Sequence, residues 1–265
     1  MDFLKLKGKK FLVFGLANKK SIAYSVGKLL SESGAEILYS VQSEAIKKNV
    51  ASLVDTESIY CCDVEHQEQI QQLSDEIRAK YATIDGIVHS IAFANYSGGK
   101  GAFFDIRKED FLQSIDISCF SLITISGLFK DILDAKASVV TISISELRLA
   151  AENYGYMAPV KAALDSTICF LAKSFSGFSE VRFNAVGASL LKTSASAGIP
   201  GYIDSYLFAE KLIPRKRALT TKEVANTVVF LLSERSSGIN AQKIIIDCGM
   251  SINYFDQEII HKSLK

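Results

Sequence analysis

Short apolar runs alternate with amphipathic segments along almost the whole chain, and this alternation constrains the fold more than any other feature. The apolar run 10–14 is followed by a helical pattern over 21–33, whose apolar residues recur on one face. The same order repeats to the end of the chain. Continuously apolar strands joined by helices are typical of a parallel sheet covered on both faces. The sequence therefore predicts an α/β fold: a single doubly wound Rossmann-type domain, with a parallel sheet of about seven strands flanked by helices.

The elements can be placed from the same patterns. The predicted strands are 10–14, 36–41, 58–62, 86–90, 138–143, 181–186 and 243–246. The predicted helices are 21–33, 44–53, 67–81, 108–133, 158–178, 204–212 and 222–232. No linker rich in Pro, Gly or Ser divides the chain, so we expect residues 1–265 to form one domain.

Composition excludes several classes of function. A net charge of +1 on 265 residues argues against a dedicated nucleic-acid binder, which needs a strongly basic face. No signal-peptide pattern opens the chain, and no uninterrupted apolar run reaches the roughly 18 residues that span a bilayer. Five cysteines without a C-x-x-C pair and three scattered histidines predict reduced thiols and no metal site. We therefore expect a cytoplasmic protein without a membrane partner.

The loop after the first predicted strand is a candidate phosphate site. It runs from Gly15 to Ser21 and does not match G-x-G-x-x-G. A helix N-terminus nevertheless offers free N–H groups to a pyrophosphate, and Ser21 could cap the helix or donate to a phosphate. An ordinary capped loop explains these residues equally well.

The end of the second predicted strand bears on cofactor choice. Gln42 can hydrogen-bond adenosine hydroxyls but carries no charge, and no Arg or Lys stands at positions 42 or 43. Because a 2′-phosphate usually requires a nearby cation, NADH is favoured over NADPH. Lys47 and Lys48, one turn further on, weaken that preference.

Further motifs follow in a characteristic order. They are Gly15 with Ser21-Ile22-Ala23, Gln42, Cys62-Asp63-Val64, Asp85–Ala94, Asp116-Ile117-Ser118, Asn153-Tyr154 with Lys161, Arg182–Ala185, Lys192-Thr193 and Asp247–Ile252. Six residues separate Tyr154 from Lys161. In most short-chain dehydrogenase/reductases, only three residues separate the catalytic tyrosine from the catalytic lysine. By these motifs, from Leu6 to about Ile252, the chain resembles the bacterial enoyl-acyl-carrier-protein reductases, a divergent branch of that superfamily.

The resemblance implies reduction of the 2,3-double bond of an enoyl thioester on acyl carrier protein or coenzyme A, with NADH. It implies that Tyr154 donates a hydrogen bond to the thioester oxygen and that Lys161 binds the nicotinamide ribose. The implied cofactor-binding residues are Gly15, Ser21, Ile22, Gln42, Asp63, Val64, Ser90, Ile91, Ala92, Lys161, Leu191 and Thr193. The implied substrate-binding residues are Ala94, Ile144 and Tyr154. A loop-helix substrate segment at about 187–214 and a homotetramer are also implied.

The chain departs from the family pattern at several positions. Ile144 replaces an aromatic residue beside the substrate, and the other departures are Ala92, Ser189-Leu190, Ala241 and Cys248. These changes leave two alternatives open: another short-chain reductase that acts on a ketone, or a catalytically weakened NAD-binding paralogue.

A basic cluster, Arg215-Lys216-Arg217, follows the predicted substrate segment. Electrostatic steering could dock an acidic carrier protein there. A solvated charged turn is the simpler interpretation.

Overall fold

The computed structural model describes residues 2–95, 102–151, 154–199 and 201–264, and seven strands of these residues form one sheet. The strands are β1 (Lys10–Phe14), β2 (Glu36–Val41), β3 (Ile59–Cys61), β4 (Ile84–His89), β5 (Leu133–Ile144), β6 (Arg182–Ala188) and β7 (Lys243–Ile246). Their order is β3-β2-β1-β4-β5-β6-β7, and every neighbouring pair is parallel. The predicted doubly wound α/β fold is confirmed.

Helices cover both faces of the sheet. They are α1 (Ile22–Glu32), α2 (Glu44–Val50), α3 (Gln67–Lys80), α4 (Lys108–Ile115), α5 (Ser121–Phe129), α6 (Met157–Phe175), α7 (Ser194–Ala197), α8 (Tyr202–Leu212), α9 (Thr221–Leu232) and α10 (Gln257–Ser263). Helices α3, α5 and α6 contribute to the apolar core on one face, and α1 and α9 to the core on the other.

Strand β1 shows why the strands read as continuous apolar runs. Its side chains point alternately to the two faces, so that Leu12 and Phe14 enter one core while Phe11 and Val13 enter the other. All four are almost fully buried. Because both faces are covered by helices, neither set of side chains has to be polar.

The predicted long helix 108–133 is wrong in two respects. A π-helical turn, Asp116–Phe120, separates α4 from α5, and helical structure ends at Phe129. Leu133 already belongs to β5, which starts five residues before the predicted strand. The apolar pattern continues without a break because α5 and β5 both line the same core, so periodicity alone could not locate the boundary.

Other boundaries differ less. Helix α6 begins at Met157, one residue before the predicted start, so that Pro159 is its third residue and Lys161 opens its second turn. The implied loop-helix segment at about 187–214 contains the short helix α7 as well as α8, and α10 was not predicted. Asn153, part of the motif around Tyr154, lies outside the described residues.

Among the described residues, the helical run Lys108–Phe129 is long and apolar enough to cross a membrane by length and composition. Leu122, Ile125 and Phe129 of this run are fully buried in the core below the sheet. The run therefore packs as a core helix of the α/β fold.

Candidate functional site

The carboxyl ends of the strands meet at one edge of the sheet, where the strand order reverses between β1 and β4. Ligands of open parallel α/β folds bind at such a switch point. Gly15 follows β1 and residues 90–92 follow β4, while Gln42 and Asp63 lie just beyond β2 and β3. The structure thus brings these cofactor-binding candidates to one edge.

Gly15 shapes the bottom of this edge. Its backbone is left-handed, with φ at 92°, and a Cβ at this position would lie 2.0 Å from the Ser90 carbonyl oxygen. No side chain fits between them, so β1 and the segment after β4 approach more closely than any other residue would allow.

Ser21 caps α1 at the end of the same loop. Its hydroxyl accepts a hydrogen bond from the Tyr24 N–H at 3.3 Å and donates to the Asn18 carbonyl at 2.7 Å. The cap holds the first turn of α1, whose remaining N–H groups and positive dipole end suit a pyrophosphate. Of the two roles considered for Ser21, the structure shows the capping one.

Gln42 and Asp63 meet at the far end of the edge. The Gln42 amide donates to Asp63 Oδ2 at 3.1 Å, and the Asp63 N–H is held by Gln69 at 2.8 Å. Val64 next to them packs against the core. Glu44, close by, accepts from the Cys61 thiol at 3.0 Å. This surface presents an amide and carboxylates, which suits ribose hydroxyls better than a phosphate.

Lys161 is buried at the centre of the site. Its ammonium donates to the Ile142 carbonyl at 2.7 Å and to the Ile91 carbonyl at 3.3 Å. An ammonium has three N–H groups, so one remains for a ligand. Burial lowers the pKa of Lys161 to about 8, and the negative charge of Asp165 opposes that shift. At neutral pH the side chain is therefore mainly charged.

His89 is fully buried near Lys161. The sequence did not predict a role for it in the site. Its Nδ1 lies 2.9 Å from Thr141 Oγ1 and its Nε2 lies 2.9 Å from Ser121 Oγ. Burial, with a smaller contribution from the Lys161 charge, lowers its pKa to about 3, so the ring is neutral. Because its partners are 52 and 32 residues away in the chain, no local sequence motif predicts these contacts.

Two tyrosines precede Lys161 and have different surroundings. Tyr154 is half-buried in the turn before α6, where its N–H donates to the Ala151 carbonyl. Tyr156 is buried, packs edge-on against Phe111 and donates its hydroxyl to the Asn95 carbonyl. Tyr156 therefore has a packing role.

A serine in the π-helical turn fixes the segment that follows β4. The buried Ser118 hydroxyl accepts from the Phe93 N–H at 2.9 Å and lies 3.1 Å from the Phe93 carbonyl, to which it can donate. Because π-helical turns often occur at functional sites, this one gives a structural reason for the Asp116-Ile117-Ser118 motif. It sets the backbone that leads to Ala94.

Two buried hydroxyls at the ends of β5 and β6 have no hydrogen-bond partner among the residues that the structure describes. They belong to Ser143 and Ser189. Buried polar groups are normally paired, so orphaned hydroxyls at a ligand-binding edge indicate polar groups still to be supplied. Together with the third N–H of Lys161, they fit a dinucleotide with its ribose and amide groups. The departure at Ser189 thus adds a donor to the site.

The predicted substrate segment is tied back to the end of β6. The Tyr202 hydroxyl accepts from the Leu191 N–H and donates to the Leu191 carbonyl, both at 2.7 Å. Thr193 caps α7, and the Lys192 ammonium lies 4.2 Å from the centre of the Tyr206 ring. These contacts connect α7 and α8 to Leu191 and Thr193, two of the cofactor-binding candidates.

The departures from the family pattern have visible consequences. Ala241 and Cys248 replace glycine, yet both keep left-handed backbones, with φ at 57° and 56°. Such conformations cost roughly 1 kcal/mol or more for residues with a Cβ. Ile144 ends β5 half-buried and presents no polar side-chain group, and Ala92 is exposed after β4.

The basic cluster is partly neutralised, because its three cations share two acidic partners. Arg215 forms two hydrogen bonds to Glu223, at 2.6 and 3.0 Å, and Arg217 lies 3.7 Å from the same carboxylate. Lys216 pairs with Asp256 at 2.9 Å. These ion pairs favour the solvated turn over the docking hypothesis.

Other described regions are less suited to a ligand site than this edge. A groove of about 820 Å³ lies at the amino ends of β2 and β3, on the opposite side of the sheet. Its lining mixes cations and anions, such as Lys28 and Glu32, and includes none of the candidate residues. Within the described ranges, no group of three His, Cys, Asp or Glu side chains could hold a metal ion.

Comparisons with known proteins agree with this geometry. A family model described as Enoyl-(Acyl carrier protein) reductase matches residues 15–251. A protein of Enterococcus faecalis named enoyl-[acyl-carrier-protein] reductase [NADH] is 34% identical, over 93% of this chain and 99% of its own. A Staphylococcus aureus relative, named as the [NADPH] enzyme, is 32% identical over 93% and 98%. The crystal structure of the Aquifex aeolicus enoyl-[acyl-carrier-protein] reductase (NADH) superposes with a TM-score of 0.90 at 30% identity, covering 95% and 99%.

Proposed function

Because the chain belongs to the enoyl-acyl-carrier-protein reductase family, we propose that it reduces the 2,3-double bond of 2-enoyl thioesters in fatty-acid elongation, with NADH as the reductant. One observation carries the proposal. The Lys161 ammonium is buried, is fixed by two carbonyls at the ligand-binding edge and keeps one N–H for a ligand.

Each site residue has a separate role in the proposed reaction. When bound, NADH would supply the hydride that the β-carbon of the substrate accepts. Tyr154 donates a hydrogen bond to the thioester oxygen, where negative charge develops. Lys161 gives its third N–H to the nicotinamide ribose, and its charge stabilises the developing anion. A proton from solvent then reaches the α-carbon, so that one hydride and one proton saturate the double bond.

The remaining candidates hold the two ends of the cofactor. The α1 N-terminus, behind Gly15, Ser21 and Ile22, binds the pyrophosphate, and Gln42, Asp63 and Val64 bind the adenosine. Residues 90–92, Leu191 and Thr193 line the nicotinamide end. The carboxylates of Asp63 and Glu44 beside Gln42 support NADH over NADPH, since a 2′-phosphate would meet negative charge. Named relatives of both cofactor types are known.

Ala94 and Ile144 border the acyl group, and the segment 187–214, within one catalytic domain, closes over it. The thioester is carried by acyl carrier protein or coenzyme A in the cytoplasm, in keeping with the five unpaired cysteines. Exposed apolar side chains on the outer faces of α5 and α6, such as Ile123 and Phe170, support a homotetramer.

A turnover experiment tests this function. Oxidation of NADH is followed at 340 nm with crotonyl and with acetoacetyl thioesters. We expect turnover with the first alone, and its loss by about 100-fold or more in Tyr154→Phe, since a preorganised donor contributes that much. Tyr156→Phe is the matched control and keeps most of the activity.

The same experiment separates the alternatives. Turnover of the acetoacetyl thioester alone would establish a ketone reductase. Tight binding of NADH without turnover of either substrate would establish a non-catalytic paralogue.

A further inference from the structure

An ion pair with no part in the proposed chemistry lies one helical turn beyond Lys161. The Lys243 ammonium of β7 is 2.9 Å from Asp165 Oδ2 of α6. Both side chains are largely buried, 20% and 14% exposed, and neither Asp165 oxygen has solvent contact. A carboxylate is seldom buried in this way without a counter-charge. Lys243 supplies it across the sheet.

The backbone makes room for this pair. Lys243 starts on the edge strand β7 and crosses the neighbouring strand β6 at Gly187. A Cβ at Gly187 would lie 3.0 Å from Lys243 Cδ and 2.9 Å from the Ile144 carbonyl oxygen. The Lys243 ammonium itself lies 3.4 Å from that carbonyl. Lys243 therefore reaches from the sheet edge to the end of β5, where the site begins.

Asp165 faces Lys161 because the two are four residues apart on α6. Side chains at this spacing are neighbours, with Cβ atoms about 5–6 Å apart. The negative charge of Asp165 raises the pKa of Lys161, against the larger effect of burial. Other ionisable groups near Lys161 in the described part of the chain are His89 of β4, which is neutral, and Cys119 of the π-helical turn, whose thiol pKa burial raises.

We propose that Asp165 and Lys243 are positioning residues for Lys161: the carboxylate keeps the ammonium charged, and Lys243 holds that carboxylate in place and moderates its field. The proposal rests on the proposed function, in which a charged Lys161 binds the ribose. Neither residue touches the reacting atoms. Removing the anion and removing the cation must therefore change Lys161 in opposite directions, which no general loss of structure would do.

The test measures the dissociation constant of NADH by fluorescence between pH 6 and 10, together with the basic limb of kcat. In the wild-type protein, binding weakens as Lys161 loses its proton. We expect Asp165→Asn to move this midpoint down by about one pH unit, and Lys243→Met to move it up. Asp85→Asn is the matched control, because Asp85 also pairs with a lysine, Lys9, at 2.8 Å, far from the site. It leaves the midpoint unchanged.

Other outcomes decide against the proposal. Unchanged midpoints in both variants, or shifts in the same direction, overturn it. If Asp165→Asn fails to fold, the two variants Lys243→Met and Lys243→Gln test the proposal instead. Both should then move the pH midpoint of NADH binding up, and no upward move in either would overturn the proposal. The failure of the proposed function looks different: the wild-type protein itself would then not reduce the crotonyl thioester, whatever the midpoints of NADH binding in the variants.

Discussion

The residues around Lys161 form a buried polar cluster whose members belong to different elements. His89 sits on β4, Thr141 on β5 and Ser121 at the start of α5, and all three are fully or almost fully buried. The ring pairs with both hydroxyls, so that each polar group in this set is satisfied. A neutral histidine here adds no charge to compete with the Lys161 ammonium.

The depressed pKa of His89 predicts acid sensitivity. The unfolded chain takes up a proton near pH 6.5, its ordinary value, whereas the folded protein does so only near pH 3. The stability contribution is therefore complete above pH 6.5 and is lost as the pH falls towards 3. Urea titrations should show a loss of about 2 kcal/mol between pH 7 and pH 5, from 1.5 pH units at 1.36 kcal/mol each.

Substitution of His89 checks the cause. His89→Gln is expected to be less stable at pH 7 by about 1–3 kcal/mol, because a buried hydroxyl loses its partner. Its stability should change much less between pH 7 and pH 5. His261→Gln, in the exposed C-terminal helix, keeps the wild-type dependence. If His89→Gln kept the wild-type slope as well, another group would be responsible.

At the scale of elements, most strands and helices could be predicted because each carries a local pattern. Strands β1, β2 and β7 have the predicted bounds, and each consists of one charged residue followed by a mainly apolar run. The boundary between α5 and β5 could not be predicted, because both elements bury apolar side chains in one core. Within the site, Gln42 and Asp63 follow strand ends, and their meeting is a consequence of topology. The Lys243–Asp165 pair depends on a crossing over Gly187 that no sequence spacing encodes.

The tie between α8 and the end of β6 leads to an element-scale prediction. Tyr202→Phe removes both hydrogen bonds to Leu191 and keeps the ring. Loss of about 1 kcal/mol of ordering should raise the KM for the enoyl thioester about fivefold, with a smaller effect on kcat. Tyr254→Phe, at an exposed tyrosine near the C-terminus, is the control with unchanged KM. An unchanged KM in Tyr202→Phe would mean that this tie does not position the segment.

At the scale of the whole molecule, one sheet carries the site at its carboxyl edge and leaves an apolar outer face. Phe120, Ile123 and Phe170 are exposed on neighbouring parts of the helical layer formed by the π-helical turn, α5 and α6. A soluble monomer rarely leaves several large apolar side chains together in water. The proposed cofactor edge lies at the strand ends, so assembly through this face would leave it open.

Light scattering tests the assembly. The wild-type protein should have the mass of four protomers, and Phe170→Glu should shift it to smaller species, since burying an unpaired charge in an interface costs several kcal/mol. Phe3→Glu, at a similarly exposed phenylalanine near the N-terminus, should keep the wild-type mass. A tetramer that survives Phe170→Glu would place the interface elsewhere.

Hydride transfer to the β-carbon of a 2-enoyl thioester can be measured directly by isotope transfer. NADH deuterated at C4 of the nicotinamide, in each of its two stereoisomers, is incubated with the protein and crotonyl thioester, and the product is analysed by mass spectrometry and NMR. We predict one deuterium at C3 of a butyryl thioester from one stereoisomer, and none from that isomer with Tyr154→Phe on the same time scale. Two results would contradict hydride transfer from NADH to the β-carbon: a product without deuterium at C3 from either stereoisomer, or no butyryl product from a protein that binds NADH.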